Sequence, residues 1–193
     1  MTIQSPSAPS LSRRGFLGRG ATLSALALAL LSGRSTLVSA AVKKQSTAAT
    51  ATDIEILNAA LAAEHQAIAA YQLGAESGLL VPAVRTLALT FQGHHRTHAD
   101  LLGATVGQLG GHAVAAQSKY DFPAASLRTQ EDVLRFAAGL EQGAVTAYTA
   151  AVPKFGDREL ARVAASILGD EAMHWAVLRQ ALGEPPVPGA FVG

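Results

Sequence analysis

The stretch Gly169 to Gln180, GDEAMHWAVLRQ, puts a carboxylate and an imidazole among residues that a helix should bury. Residues spaced alternately by four and three positions are typical of a stripe facing the core of a helical bundle. Here that stripe is Leu160, Ala164, Ile167, Glu171, His174, Leu178 and Ala181. A carboxylate inside such a stripe is costly unless something neutralises it. Glu171 and His174 are therefore candidate functional residues.

Helix-start and helix-stop signals divide the chain upstream of this stretch. Thr52 and Glu55 form a T-x-x-E capping box, which predicts the start of a first helix that runs to about Ser77. Pro82 suits the first turn of a second helix, and the pair Gly110-Gly111 predicts its end. Each predicted helix has about 25 residues, roughly 37 Å at 1.5 Å per residue.

The second half of the chain repeats this organisation. Thr129 and Asp132 are predicted to cap a third helix that runs to about Val152. The turn at Gly156-Asp157 leads into the fourth helix, which ends at Gly183 before a Pro-rich tail, residues 184–193.

The connection between the second and third helices is longer than the other two. It runs from His112 to Arg128 and can cross from one end of a bundle to the other. Two short connections around one long one predict an all-α, up-and-down four-helix bundle over residues 52–183, with one long crossover between helices 2 and 3.

An internal repeat supports this arrangement. The first helix contains EHQAIAAY (Glu64 to Tyr71), and the third contains EQGAVTAY (Glu141 to Tyr148). The second contains HRTHADLL (His95 to Leu102), which aligns with EAMHWAVL (Glu171 to Leu178) on the fourth. The chain therefore reads as a duplicated helix pair.

Ionisable residues interrupt the apolar stripe of every predicted helix near its middle. They are Glu64, His95, His98, Glu141, Glu171 and His174. Three buried carboxylates without counter-charge would be severely unfavourable, so either a divalent metal neutralises them or some are protonated. The alternatives are a metal centre and a metal-free polar network in the core.

This pattern resembles the ferritin-like di-metal carboxylate proteins, in which one Glu from each of two helices joins a Glu-x-x-His from each of the other two. Glu64 and Glu141 match the single glutamates, and Glu171-x-x-His174 is an intact Glu-x-x-His. The resemblance covers about residues 53–183. It comes closest to a small, exported and poorly characterised branch of that superfamily, and it implies a transition-metal site with two iron ions as the first expectation.

The second helix departs from the family pattern. His95 stands where a glutamate is expected, giving His95-x-x-His98. With three carboxylates instead of four, two divalent ions would leave a net charge of about +1, so a single ion, or an imidazole-preferring ion such as zinc or copper, becomes an alternative. Manganese is a further alternative.

The remaining histidines and the two repeat tyrosines receive structural interpretations. His94 is expected to be exposed or to lie just outside the ligand set, and His65 to lie on the surface or beside it. His112 falls in the crossover and is expected to be solvated. Tyr71 and Tyr148 are expected to be core residues whose hydroxyl groups have hydrogen-bond partners.

The N-terminus resembles a twin-arginine export signal, residues 1–41. The stretch SRRGFLGRG (Ser12 to Gly20) carries it through Arg13, Arg14, Gly15, Phe16 and Leu17. An apolar run of 13 residues and a small-residue site follow. An uncleaved anchor is the alternative, but this run is short for a membrane span. Residues 42–51 are predicted to be a flexible linker, and the twin-arginine machinery is predicted to export the protein to the periplasm or envelope.

Composition excludes several classes of function. Without residues 1–41 the chain has 11 basic and 14 acidic residues, a net charge of −3, so nucleic-acid binding is not expected. The absence of cysteine excludes thiolate metal sites, iron–sulfur clusters and a cysteine nucleophile. Any metal must therefore bind to oxygen and imidazole ligands.

Two functions fit the sequence. The first is a metalloprotein that performs redox chemistry with oxygen or peroxide, and the second is a non-catalytic envelope protein that binds metal or serves a structural role. The substitution at His95 favours the second. A storage cage is a third candidate, and a homo-oligomer is compatible with all three.

Overall fold

The computed structural model describes residues 47–192, so the predicted export signal and residues 42–46 of the predicted linker lie outside it. These residues form four α-helices and no strand. The helices are α1 (Thr47–Glu76), α2 (Pro82–Gln108), α3 (Gln130–Ala151) and α4 (Arg158–Ala181). Two 3₁₀ turns, Ala124–Ser126 and Val152–Lys154, lie in the connections. The all-α prediction is confirmed.

The helices pack as two pairs, α1 with α2 and α3 with α4, and α1 also contacts α3. Phe91 of α2 stacks on His174 of α4 with 4.0 Å between ring centroids, which joins the remaining two helices. The backbone N–H of Val81, just before α2, donates to Gln130 at the start of α3 over 2.9 Å. Because α2 and α3 begin at the same end, the connection between them spans the length of the bundle, as predicted.

Local signals set most of the helix ends. Thr129 and Asp132 form the capping box of α3, and the Asp157 side chain accepts from two backbone N–H groups at the start of α4. Gly110 and Gly183 follow α2 and α4 with φ angles of +82° and +75°, a conformation that glycine adopts without strain.

The predicted start of α1 is wrong. The helix begins at Thr47, so Thr52 lies inside it and residues 47–51 are helical instead of linker. The alanines of this segment are good helix formers. Asp53 is fully buried, and its carboxylate accepts from the backbone N–H groups of Gly156 (2.7 Å) and Asp157 (3.1 Å). This tertiary contact anchors the first turns of α1, where the sequence suggested a local cap.

Two apolar clusters lie above and below the middle of the bundle. One contains Leu57, Leu61, Leu102, Val106, Leu160 and Ile167. The other contains Tyr71, Phe91, Leu134, Ala138, Trp175 and Leu178. The predicted stripe of α4 is buried except for Ala181, which lies exposed at the helix end. Among residues 47–192, no helix has the length and apolar character needed to cross a membrane.

Candidate metal centre

The layer between the two apolar clusters is polar. It brings together all six side chains that the sequence singled out: Glu64, His95, His98, Glu141, Glu171 and His174. Five of them are at most 3% exposed, and the side chain of His98 is 13% exposed. That these six residues bind metal stays a prediction. The positions of their ligand atoms show whether the cluster fits an ion.

The cluster contains two overlapping sets of ligand atoms. Glu64 and His98 form what we call the α1–α2 half-site, and Glu141 and His174 form the α3–α4 half-site. Both half-sites share Glu171 and His95, and within each set one ligand atom from every residue lies within 4.8 Å of the others. The arrangement therefore offers two neighbouring ion positions with a common carboxylate between them.

Four buried ligand atoms have no hydrogen-bond partner among the described residues. They are both carboxylate oxygens of Glu171 and the Nδ1 atoms of His98 and His174. His98 Nδ1 lies 3.1 Å from one Glu171 oxygen, and His174 Nδ1 lies 3.4 Å from the other. Buried polar atoms without partners are costly and rare. A transition-metal ion in each half-site would satisfy all four, one through His98 and the other through His174, so these residues fit such ions.

His95 occupies a different position from the other two histidines. Its Nδ1 lies 2.8 Å from Glu64, and its Nε2 lies 3.3 Å from Glu141. Burial by itself lowers the pKa of His95, but the hydrogen bonds to Glu141 and Glu64 outweigh it and raise the pKa to about 10. In the metal-free protein His95 is therefore an imidazolium that joins the two half-sites where the family pattern has a fourth carboxylate.

The pKa values of the other ionisable groups in the centre also depend on the balance between burial and charged partners. Burial opposes the charged form of His98 and His174, yet their carboxylate partners raise each pKa to about 9. Burial raises the pKa of Glu64 and of Glu141, but the histidines outweigh it and lower both. For Glu171 burial dominates, and its pKa is raised. A metal ion that binds His98 or His174 must therefore displace a proton.

Each of the two repeat tyrosines donates a hydrogen bond to the single glutamate on the other helix, α1 or α3. Tyr148 on α3 donates to Glu64 on α1 over 2.6 Å, and Tyr71 on α1 donates to Glu141 on α3. The expectation of buried tyrosines with hydroxyl partners is confirmed. The sequence did not reveal that these bonds cross between α1 and α3. Together with His95 they form a buried chain of hydrogen bonds, which runs from Tyr148 through Glu64, His95 and Glu141 to Tyr71.

Replacing Tyr148 by phenylalanine tests this chain. The variant leaves one oxygen of Glu64 without its donor, so we expect the metal-free protein to lose about 1–3 kcal/mol of unfolding free energy. Urea denaturation measures the loss. Tyr120→Phe is the matched control, because the Tyr120 hydroxyl contacts only an exposed backbone N–H, that of Gln117. Equal stability of the two variants would contradict the role given to Tyr148.

Two further residues lie at the outer edge of the centre, between α2 and α4. The carboxylate of Asp170 is 3.0 Å from His94, 3.4 Å from His98 and 3.3 Å from His174. The His94 side chain is 45% exposed, in line with its expected position. Asp170 was not predicted from the sequence, although its position four residues before His174 places both side chains on one helix face.

The other two histidines lie away from the centre. His65 is 3.3 Å from the carbonyl oxygen of Val114, and His112 is exposed in the crossover, where its carbonyl accepts from Asn58. Both positions agree with the expectations, and these contacts fasten the crossover to α1.

The opposite face of the bundle, between α1 and α3, contains a cleft of about 200 Å³. Glu64, His95 and Glu141 lie among the residues that line it, together with Tyr148 and Glu171. Small side chains make up much of the remainder: Ala63, Ala67, Gly139, Gly143, Ala144 and Ala147. A second cavity of about 240 Å³ shares part of this lining and continues along the two helices. The cleft therefore extends from the α1–α3 face to the carboxylates of the centre.

Comparison with known proteins agrees with this geometry. The family model described as "Ferritin-like domain" matches residues 52–184, so the chain belongs to that family. A conserved hypothetical protein of Mycobacterium tuberculosis is 26% identical, with a TM-score of 0.64 over 74% of this chain and 99% of that one. A ferritin-like, diiron-carboxylate protein of Bacillus anthracis str. Ames is 20% identical, with a TM-score of 0.61 over 72% and 99% of the two chains. No curated protein matches.

Proposed function

We propose that this protein is an exported metalloprotein that binds one or two transition-metal ions at the Glu/His centre and reacts with oxygen or peroxide. The observation that carries the proposal is Glu171, which is fully buried with both oxygens unpaired and faces the free Nδ1 atoms of two histidines. Membership of the ferritin-like family and the fold of a diiron-carboxylate neighbour support iron as the first metal to test.

The residues of the centre have different roles in the proposed function. When bound, iron would supply the electrons that reduce oxygen or peroxide. Glu64, Glu141 and Glu171 offset the charge of the ions, while Tyr148 and Tyr71 fix the orientation of the first two through their hydroxyl groups. His95 holds protons at Nδ1 and Nε2 between two carboxylates, and these nitrogens become free only if the protons leave.

His95 also decides how many ions fit. An ion in one half-site would displace one of the hydrogen bonds that this imidazole makes, to Glu64 or to Glu141, whereas two ions would have to displace both. This observation favours the second candidate function, a non-catalytic envelope protein that holds metal. Zinc, copper and manganese suit a mixed imidazole and carboxylate site as well.

One experiment separates the two functions. Metal-free protein is titrated anaerobically with Fe²⁺ and then mixed with excess hydrogen peroxide or oxygen while further Fe²⁺ is supplied. The redox proposal expects catalytic consumption, with more oxidant used than metal bound. Tight binding without turnover would leave only the binding function, and the absence of binding would overturn both.

The cleft between α1 and α3 gives an independent test of access. Ala147→Leu places a bulky side chain in the lining that both cavities share. We expect the same metal content as wild type but several-fold slower oxidation by tert-butyl hydroperoxide, with a smaller effect for hydrogen peroxide. Ala165→Leu, at an exposed position of α4, is the control. Equal rates for both variants would contradict access through this cleft.

The proposed location rests on the N-terminal sequence alone. Arg13, Arg14 and the apolar run that follows them favour twin-arginine export, and this route carries folded proteins that acquire a metal before crossing the membrane. Fractionation of cells that produce the full chain tests the proposal, and recovery of all the protein from the cytoplasm would refute it.

A further inference from the structure

We propose that the seam between α2 and α4 carries a second, solvent-facing metal site, formed by His94, Asp170 and His174, that takes up ions and delivers them to the buried centre. The delivery step rests on the proposed function. The binding step does not, because it needs only these three side chains.

The ligand atoms of this outer site are already close together. His94 Nδ1 is 3.0 Å from Asp170 Oδ2 and 2.9 Å from His174 Nε2, and the last two atoms are 3.3 Å apart. Two imidazole nitrogens and one carboxylate oxygen are a donor set that suits Fe²⁺, Cu²⁺ and Zn²⁺. An ion bound by these three atoms would retain open positions toward solvent, so it could arrive and leave readily.

His174 connects the outer site to the buried centre. Its Nε2 faces Asp170, while its Nδ1 lies 3.5 Å from Glu141 and 3.4 Å from Glu171. His98 has the same arrangement, with Nε2 3.4 Å from Asp170 and Nδ1 3.1 Å from Glu171. Each of these rings therefore presents one nitrogen to the outer carboxylate and the other to the inner one.

Exposure decreases along this path. The side chain of His94 is 45% exposed, that of Asp170 is 22% exposed, and that of His174 is 2% exposed. On the opposite face the carboxylates that line the cleft, Glu64, Glu141 and Glu171, are at most 3% exposed. His94 and Asp170 on the α2–α4 side are therefore the more exposed ligands for a hydrated cation.

The first test asks whether the outer site binds a metal when the inner one is impaired. Glu171→Gln removes the carboxylate that both half-sites share while preserving its shape. We expect this variant to bind one Cu²⁺ per chain, with an electron paramagnetic resonance spectrum showing two imidazole nitrogens, and to lose it when His94→Ala is added. Adding His112→Ala instead should change nothing. Absence of the copper signal, or its persistence without His94, would overturn the outer site.

The second test asks whether the outer site loads the centre, and it needs only the surface substitution. Metal-free full-length protein is mixed with Co²⁺, and the absorption of the bound ion is followed in time. We expect His94→Ala to load several-fold more slowly, because the arriving ion loses its most exposed ligand, with unchanged final occupancy of the buried centre. His112→Ala should load like wild type.

The two tests distinguish a failure of the delivery step from a failure of the proposed function. Loading of His94→Ala at the wild-type rate would overturn delivery even if copper binds outside. If wild-type protein takes up no ion at its buried centre, the proposed function fails, while the copper titration still decides whether the outer site exists.

Discussion

Replacing Glu141 by alanine is expected to abolish or greatly weaken metal binding while the four helices remain folded. Glu141 is 1% exposed and contributes a carboxylate to the α3–α4 half-site. Loss of an outer partner of a metal ligand costs roughly 10–100-fold in affinity, so loss of a ligand should cost at least as much. Alanine is the best helix former, so circular dichroism should report an intact α3. Isothermal titration with Fe²⁺ and Zn²⁺ measures the affinity.

Glu141→Gln is the matched variant, because it keeps the shape and can still accept from Tyr71. It should bind metal more weakly than wild type, since a neutral amide replaces a carboxylate, and it should unfold at a higher urea concentration than Glu141→Ala. Wild-type affinity in both variants would remove Glu141 from the metal site and leave it as a partner of Tyr71 and His95.

Replacing His95 by glutamate should change two properties in opposite directions. The substitution restores the family pattern, with a carboxylate from each half of the repeat, and should raise the affinity for iron. Without metal it removes an imidazolium that joins Glu64 and Glu141 and adds a negative charge in its place. Breaking a buried ion pair on one side costs roughly 3–5 kcal/mol, so the metal-free variant should be less stable by about that amount.

His95→Gln separates charge loss from ligand gain. It removes the imidazolium without supplying a carboxylate, so it should lose stability when metal-free and gain no affinity for iron. Urea denaturation with and without Fe²⁺ gives both quantities for wild type and the two variants. An unchanged iron affinity in His95→Glu would mean that position 95 does not contribute a ligand, and unchanged stability would mean that the imidazolium does not balance the glutamates.

The fold could be predicted from the sequence because the features that specify it are local or periodic. The capping box at Thr129, the glycines after α2 and α4 and the alternation of four and three along α4 each act within a few residues, and the structure agrees with them. The start of α1 was misjudged because Asp53 is stabilised by a turn about a hundred residues away, and no local pattern reports such a contact.

The centre was readable in part for a similar reason. Polar residues inside an apolar stripe are visible in the sequence. The internal repeat aligned the polar residues of the first helix pair with those of the second. The crosswise bonds of Tyr71 and Tyr148 depend on how α1 faces α3, which periodicity along one helix does not define. Asp170 was missed because it lies beside the stripe and becomes part of the cluster only when α4 packs against His94 of α2.

The central claim is that the buried Glu/His layer exists to hold metal. The most direct test is elemental analysis of the protein, purified without chelators from cells that produce the full chain, with each metal quantified per chain. We expect at least one equivalent of a transition metal in wild type, and much less in Glu141→Ala purified in the same way. Two equivalents of iron or manganese would indicate that both half-sites are filled, and about one of zinc or copper that His95 defines the site. Wild-type protein that is folded but holds no metal would contradict the claim and leave a polar network with a structural role.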